Sequence, residues 1–340
     1  MLETTWFVLW GVLWAVYFML DGFDLGVGSL IPFLAEDETE RKIMYRSVGP
    51  IWDGNEVWLV TAGGVTFAAF PGTYAVMFSS LYSALMLLLF CLIIRGISLE
   101  FRNQVDSPGW RSLWDAGTVI GSFLPALLLG VAFANIFQGI PIDAQGVNQS
   151  GLLGLLNWYG LLGGVLFVCL FLLHGALWVA IKAEGGLQER AGRLAAKIWL
   201  VLLIVAVVFL AATYVATGIY DNYLSTPILF VIPLIAVVSL LMIRAKIKAG
   251  AWLPAWIFSS LTIVGCTLFG VIGIYPALIP SSLNPEWSMT IHNSSSSPLT
   301  LKIMLGVALV MVPLVIVYQF LVYRLFQGKV TSDELESSFY

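Results

Sequence analysis

The chain has 340 residues, of which 59% are hydrophobic and only 11% charged, with a net charge of −4. A soluble domain carries about 25% charged residues, so the composition describes an integral membrane protein embedded in the lipid bilayer. No basic cluster is present, and nucleic-acid binding is excluded on that ground.

About 20 apolar residues span the hydrocarbon core. By that measure nine spans are expected, over 5–33, 52–70, 74–95, 114–138, 157–181, 197–217, 226–244, 252–279 and 300–324. The expected fold class is all-α integral membrane, one polytopic domain over 1–340. The first run is too long for a signal peptide and lacks a basic n-region, so it should stay as a helix. Short polar loops separate the spans, and Pro71-Gly72 is the turn signal between the second and third. Of the 16 basic residues, all but Lys302 fall in alternate loops and the tail. The positive-inside rule then puts the N-terminus outside and the C-terminus in the cytoplasm. The longest outside loops, about 139–156 and 280–299, carry no Lys or Arg and few acids.

Span one contains Asp21-Gly22-Phe23-Asp24-Leu25-Gly26-Val27-Gly28. An Asp at a helix centre costs roughly 2.5–3.5 kcal/mol on insertion scales, and a Leu or Val returns about 0.3–0.6. Asp21 and Asp24 lie three apart and share a helix face. That face must look into protein or water. Gly22, Gly26 and Gly28 offer a small-residue surface for a neighbouring helix. The two acids fit either a proton path or a hydrogen-bonded packing interface. Between the first two spans, Glu36–Lys42 reads as a solvated amphipathic segment.

Span two opens with Trp52-Asp53-Gly54-Asn55-Glu56-Val57-Trp58. Asp53 and Glu56 fit a capping box, with Asp53 as N-cap and Glu56 reaching back. They also lie near the cytoplasmic surface, and Asp24 lies about nine residues, or about 14 Å, inside it. If spans one and two form a hairpin, Asp53, Glu56, Asp24 and Asp21 make a ladder of acids toward the bilayer middle. Arg95 ends span three and can either snorkel to the headgroups or pair with one of these acids. Glu100 and Arg102 are expected to form an interfacial ion pair. Trp114-Asp115 opens span four much as Trp52-Asp53 opens span two.

Cys91, Cys169 and Cys266 sit inside apolar runs at no metal-site spacing and read as small core residues. His174 is central in span five and His292 lies in an outside loop. They cannot form one bis-His haem site, and His174 reads as a hydrogen-bonded core residue. No metal site, nucleotide loop or catalytic nucleophile is evident.

The motifs at 21–28, 52–59 and 95–102, with Gly-Ser-Phe-Leu-Pro at 121–125 and Gly-Val-Ala-Phe-Ala-Asn at 130–135, resemble subunit II of the cytochrome bd quinol oxidase. The resemblance implies nine transmembrane helices in two four-helix bundles plus one peripheral helix. It implies a partner, subunit I, that carries two b haems and one d haem, and small accessory subunits in some complexes. The complex oxidises quinol, reduces oxygen to water and builds a proton-motive force in the bacterial cytoplasmic (inner) membrane. The isolated chain should be inactive. Asp21, Asp24 and Asp53 match the family's cytoplasmic proton path. Trp58 and Arg95 match positions near an intersubunit oxygen route. Glu56 stands where relatives have Gln. Some complexes hold a structural quinone in this subunit, and no residue here decides that. Two other readings of the acids stay open: a proton-coupled secondary transporter and a purely structural subunit. No pair of interrupted helices marks the transporter reading.

Overall fold

The computed structural model describes residues 1–331 and is mostly helical. The helices in chain order are α1 (Leu2–Leu34), α2 (Glu38–Val48), α3 (Trp52–Ala69), α4 (Pro71–Ser80), α5 (Tyr82–Phe101), α6 (Pro108–Gln138), α7 (Gly151–Gly154), α8 (Trp158–Lys182), α9 (Gly185–Ala216), α10 (Ile219–Ser225), α11 (Val231–Lys248), α12 (Trp252–Gly273) and α13 (Pro298–Leu325). Among the described residues, eight helices are long and apolar enough to cross a membrane: α1, α5, α6, α8, α9, α11 with its preceding 3₁₀ turn, α12 and α13. The helix α3 is not one of them, because Asp53, Asn55 and Glu56 lower the apolarity of its first turns.

The helix α1 is the axis of the fold. It packs against α3, α6, α8 and α12. Its 33 residues reach about 50 Å, and its apolar stretch is 72% buried. The span α8 is the most buried, at 78%, whereas none of the apolar window of α13 is buried. The α1–α8 crossing depends on glycine. A Cβ on Gly26 would stand 1.9 Å from the carbonyl oxygen of Phe171, and one on Gly175 would stand 2.5 Å from the Gly26 backbone. Both obstacles are main chain and cannot swing aside. Of the small-residue face expected of span one, Gly22 and Gly26 meet α8, and Gly28 meets Ser122 and Thr118 of α6.

Two segments differ in detail from their expected runs. The stretch 74–95 is occupied by α4 and α5, which meet at Leu81, where the backbone (φ −103°, ψ 12°) leaves the helical region. The run expected to 279 ends as a helix at Gly273. It continues into a strand, β1 (Ala277–Ile279), paired antiparallel with β2 (Met289–Thr290). This strand pair belongs to a cap made by the two long loops. Ile140 N–H donates to Pro280 O at 3.0 Å, and Ser281 Oγ donates to Ile142 O at 2.7 Å.

The opposite, base-rich end is tied by ions. Asp37 caps α2 by accepting from Glu40 N at 2.8 Å. Arg190 of α9 pairs with Glu40 and Glu36. Arg102 is fully buried and holds Glu38 of α2 and Asp115 of α6. Asp115 also accepts from Tyr45 at 2.8 Å and pairs with Arg41 at 3.3 Å. The segment 36–42 is thus a ligated helix start rather than a merely solvated face. The expected Glu100–Arg102 pair does not form. Residues two apart on a helix point to different faces, and Arg102 turns to the partners that α2 and α6 bring.

The hydrogen bond from Arg102 holds the Glu38 carboxyl below the usual carboxylate range. A lowered folded-state value means that this contribution is complete above the ordinary carboxylate value near 4.5 and is lost as pH falls through the lowered one. The thermal midpoint of Glu38→Gln should therefore lie below that of the wild type at pH 7. The gap should close on acidification below about pH 4. A gap independent of pH, measured in the same detergent, would contradict the ion-pair account.

Candidate functional site

Polar residues of α1, α3, α5 and α13 converge inside the helix bundle. Arg95 of α5 is 1% exposed, and its Nη2 donates to Asp21 Oδ1 at 2.7 Å and to Glu56 Oε2 at 2.8 Å. One turn along α1, Asp24 Oδ2 accepts from Asn55 Nδ2 at 2.7 Å. Asn55 Oδ1 in turn accepts from the Tyr323 hydroxyl of α13 at 2.8 Å. Gln319 Nε2 donates to Gly54 O at 3.1 Å, and its Oε1 accepts from Trp58 Nε1 at 3.0 Å. The Trp52 ring stands 6.0 Å from the Arg95 guanidinium.

The sequence explains each placement. The spacing of Asp21 and Asp24 turns both toward α3. The helix α3 starts at Trp52, with Ile51 as its N-cap and no side-chain cap. The expected capping box therefore does not form. Glu56 is free to reach Arg95 instead, and Asp53 is exposed on the first turn. Arg95 does not snorkel outward, because two carboxylates meet it inside. The structure brings Asp21, Asp24, Glu56 and Arg95 into one cluster, sets Trp58 at its edge and leaves Asp53 toward the base-rich end.

Two carboxyls, Asp21 and Glu56, share one guanidinium here, and Asp24 lies one turn along α1. An unpaired charge in a low-dielectric interior is strongly disfavoured, and the cluster holds more carboxyls than cations. Spare hydrogen-bonding capacity remains as well. Asp21 Oδ2, Asp24 Oδ1, Arg95 Nη1 and Ser122 Oγ are buried and have no hydrogen-bond partner among the described residues. A small cavity of about 10 Å³ touches Asp24, Arg95, Ser122, Tyr45 and Thr118, close to the space one water needs. On its far side, the Tyr45 hydroxyl lies 2.9 Å from Thr118 Oγ1 and 2.8 Å from Asp115. Burial raises the Tyr45 phenol above its ordinary range, so it stays protonated.

Asn55, Gln319 and Tyr323 were not singled out from sequence, and neither were Tyr45, Thr118 and Asp115 as neighbours of the cluster. Asn55 lies inside the motif that was read. Gln319 and Tyr323, at i and i+4, are polar groups in an otherwise apolar span, and this is the signal that was available.

The two histidines lie apart from each other and from the Arg95 cluster, one in α8 and one in a loop. His174 is fully buried, and its Nε2 lies 3.1 Å from the Met19 carbonyl. Its ring stacks on Trp256 at 4.9 Å and 9°. Its Nδ1 has no hydrogen-bond partner among the described residues. His292 lies in the loop beyond β2. No haem-dependent step is assigned to this chain.

Comparison with known proteins gives a consistent picture. The family described as cytochrome bd terminal oxidase subunit II matches residues 2–326. The chain is 37% identical to the cytochrome bd-I ubiquinol oxidase subunit 2 of Escherichia coli (strain K12), over 98% of this chain and 97% of that one. It is 35% identical to the cytochrome bd ubiquinol oxidase subunit 2 of Bacillus subtilis (strain 168), over 98% of each. The solved bd oxidase of Geobacillus thermodenitrificans has the same fold, with a TM-score of 0.75 at 18% identity over 96% of this chain and 98% of that one.

Removing the guanidinium would leave Asp21 and Glu56 buried without their cation, a change that costs about 3–5 kcal/mol. The Arg95→Met variant should accordingly show a large drop in thermal midpoint and in yield of folded protein. Adding Asp21→Asn to it should recover part of the loss. An Arg95→Met variant as stable as wild type would remove the cluster from the energetics of the fold.

Proposed function

The chain belongs to the cytochrome bd terminal oxidase subunit II family, and on that premise we propose that it works as part of a respiratory quinol oxidase that reduces oxygen to water. Its role in that complex is to support a haem-bearing subunit I and to conduct protons from the cytoplasm. Two b haems and one d haem belong to the partner, where they supply the redox chemistry. Nine spans in two four-helix bundles with α13 at the periphery is the arrangement this reading adopts, with α3 counted as a span. Of the polar residues that keep α3 out of the apolar set, Asn55 and Glu56 face the cluster between α1 and α5. The N-terminus lies outside and the C-terminus in the cytoplasm, in line with the distribution of Lys and Arg.

The observation that carries the proposal is the pairing of Asp21 and Glu56 on one buried guanidinium, with Asp24 one turn away on Asn55 and Tyr323 attached to that amide. A purely structural ion pair would need one carboxylate, and here Arg95 holds two, with a third carboxyl one turn away. Asp53, exposed at the base-rich end, collects a proton. Asp24 receives it, with Asn55 fixing the carboxyl by one oxygen and leaving Oδ1 available. Asp21 is the next stop, and its ion pair with Arg95 prevents it from holding the proton too tightly. Glu56 shares the same guanidinium and offsets its charge. Trp58 and Arg95 stand toward the oxygen route or the subunit interface. Trp58 is held there by Gln319 of α13.

In the assembled complex, Asp24→Asn should slow oxygen uptake with a quinol substrate more at pH 9 than at pH 6, because scarce protons make the relay limiting. Asp53→Asn should show the same signature with haem content kept, since Asp53 caps no helix. The Asp21→Asn/Asp24→Asn pair should be little worse than Asp24→Asn alone, as residues in series are not additive. A pH profile parallel to wild type with full activity in the double variant would leave the acids with a packing role only.

His174→Gln supplies a separate check. The amide can still donate to the Met19 carbonyl, so the absorption spectrum should keep every haem band. Selective loss of one band from an assembled complex would make His174 a ligand after all. A colourless protein that moves solute would favour the transporter reading.

A further inference from the structure

We infer that the groove between α1, α6, α8 and α9 at the base-rich end is a binding site for an anionic phospholipid. The groove encloses about 550 Å³, within the range of ligand sites. Its walls are Leu30 and Phe33 of α1, Phe123 of α6, Leu172 of α8, and Leu194 and Ile198 of α9. Arg190, Arg193 and Lys197 line its rim.

The rim is built by helix spacing. Residues 190, 193 and 197 of α9 stand at i, i+3 and i+7, so the three cations share one face, and Leu194 and Ile198 continue that face into the groove. The cations are not equivalent. Arg190 is held between Glu36 and Glu40 and is neutralised there. Arg193 meets Glu189 one turn back at 3.3 Å, with both side chains largely exposed. Such surface pairs contribute little and exchange readily. Lys197 has no ion-pair or hydrogen-bond partner among the described residues. It projects from a stretch that is otherwise apolar, with Leu194 and Ile198 beside it. Two available cations over an apolar trough therefore face outward from helices long and apolar enough to cross the membrane.

A phosphodiester with hydrocarbon chains matches both halves of this surface. The phosphate oxygens take the donors of Arg193 and Lys197. One acyl chain follows Leu194, Ile198 and Leu172, and the other lies against Phe33, which is 74% exposed. A soluble anion would use the rim and leave the trough unused. A zwitterionic lipid would fill the trough and bring its own cation against the rim. Basic pockets between membrane helices at the cytoplasmic face suit anionic headgroups for this reason. The site is separate from the Arg95 cluster and does not rest on the role proposed for it.

The test uses the complete chain in its purified assembly, delipidated in detergent and titrated with phosphatidylglycerol or phosphatidylcholine under native mass spectrometry. Phosphatidylglycerol should be retained more tightly than phosphatidylcholine. The R193A/K197A variant should lose about fivefold in phosphatidylglycerol affinity per charge, about 25-fold in all. R193K/K197R should keep the preference. K246A/K248A, at the same end of the molecule but outside the groove, should match wild type. Both positions of the alanine pair are exposed, so folding is not at issue. Equal retention of the two lipids by wild type would overturn the proposal, as would unchanged affinity in R193A/K197A. Displacement of the lipid by millimolar inorganic phosphate would give the rim to a soluble anion and overturn it too.

Discussion

Arg95 cannot leave the position it occupies. Its guanidinium pairs with Asp21 of α1 and Glu56 of α3, with Asp24 one turn away, and among the described residues it is the one cation in the cluster. Without it those acids would be uncompensated in a medium that strongly disfavours bare charge. With it, α1, α3 and α5 are locked in register at one level. The glycine crossing of α1 on α8 sets the other side of the same helix. The axis of the fold is thus fixed from two directions, by an ionic contact on one face and backbone contact on the other.

A second ionic cluster at the base-rich end has a different character. Arg102 is also buried, but its partners Glu38 and Asp115 are partly exposed and open toward solvent. That cluster joins α2, α5 and α6 and behaves as a structural clamp. Between the two clusters lie Tyr45, Thr118 and a cavity close to the size of one water. The carboxyls therefore grade from paired and wet at the end of the bundle to crowded and dry inside it.

Much of this was legible in the residue order, and the failures have identifiable causes. Acids at 21 and 24 inside an apolar run had to face protein, and they do. Eight of the nine apolar runs hold the long apolar helices found among the described residues, and the second holds the shorter α3. The capping box over Asp53 and Glu56 failed because Glu56 is long enough to choose between a backbone N–H and a guanidinium, and only tertiary structure supplies the guanidinium. The Glu100–Arg102 pair failed on geometry already available, since i and i+2 diverge on a helix. The break at Leu81 carries no glycine or proline to announce it. Asn55 and Tyr323 were missed because neither carries charge, and an amide or phenol gains its importance from the groups that face it.

The attachment of α13 has a consequence for handling the protein. Within this helix Leu301 is the one buried side chain, and much of the rest of its length is open. It is joined to the site by Gln319 and Tyr323, through the Gly54 carbonyl, Trp58 and Asn55. Hydrogen bonds of this kind are strong in hydrocarbon, where a stray amide has no other partner, and weak where water competes. The same helix is thus firmly docked in a membrane and loosely docked in a wet micelle. Extraction in a small, water-permeable detergent would peel α13 first and carry Tyr323 away from Asn55. A preparation could then keep its overall helicity and yet have lost the outer wall of its polar core.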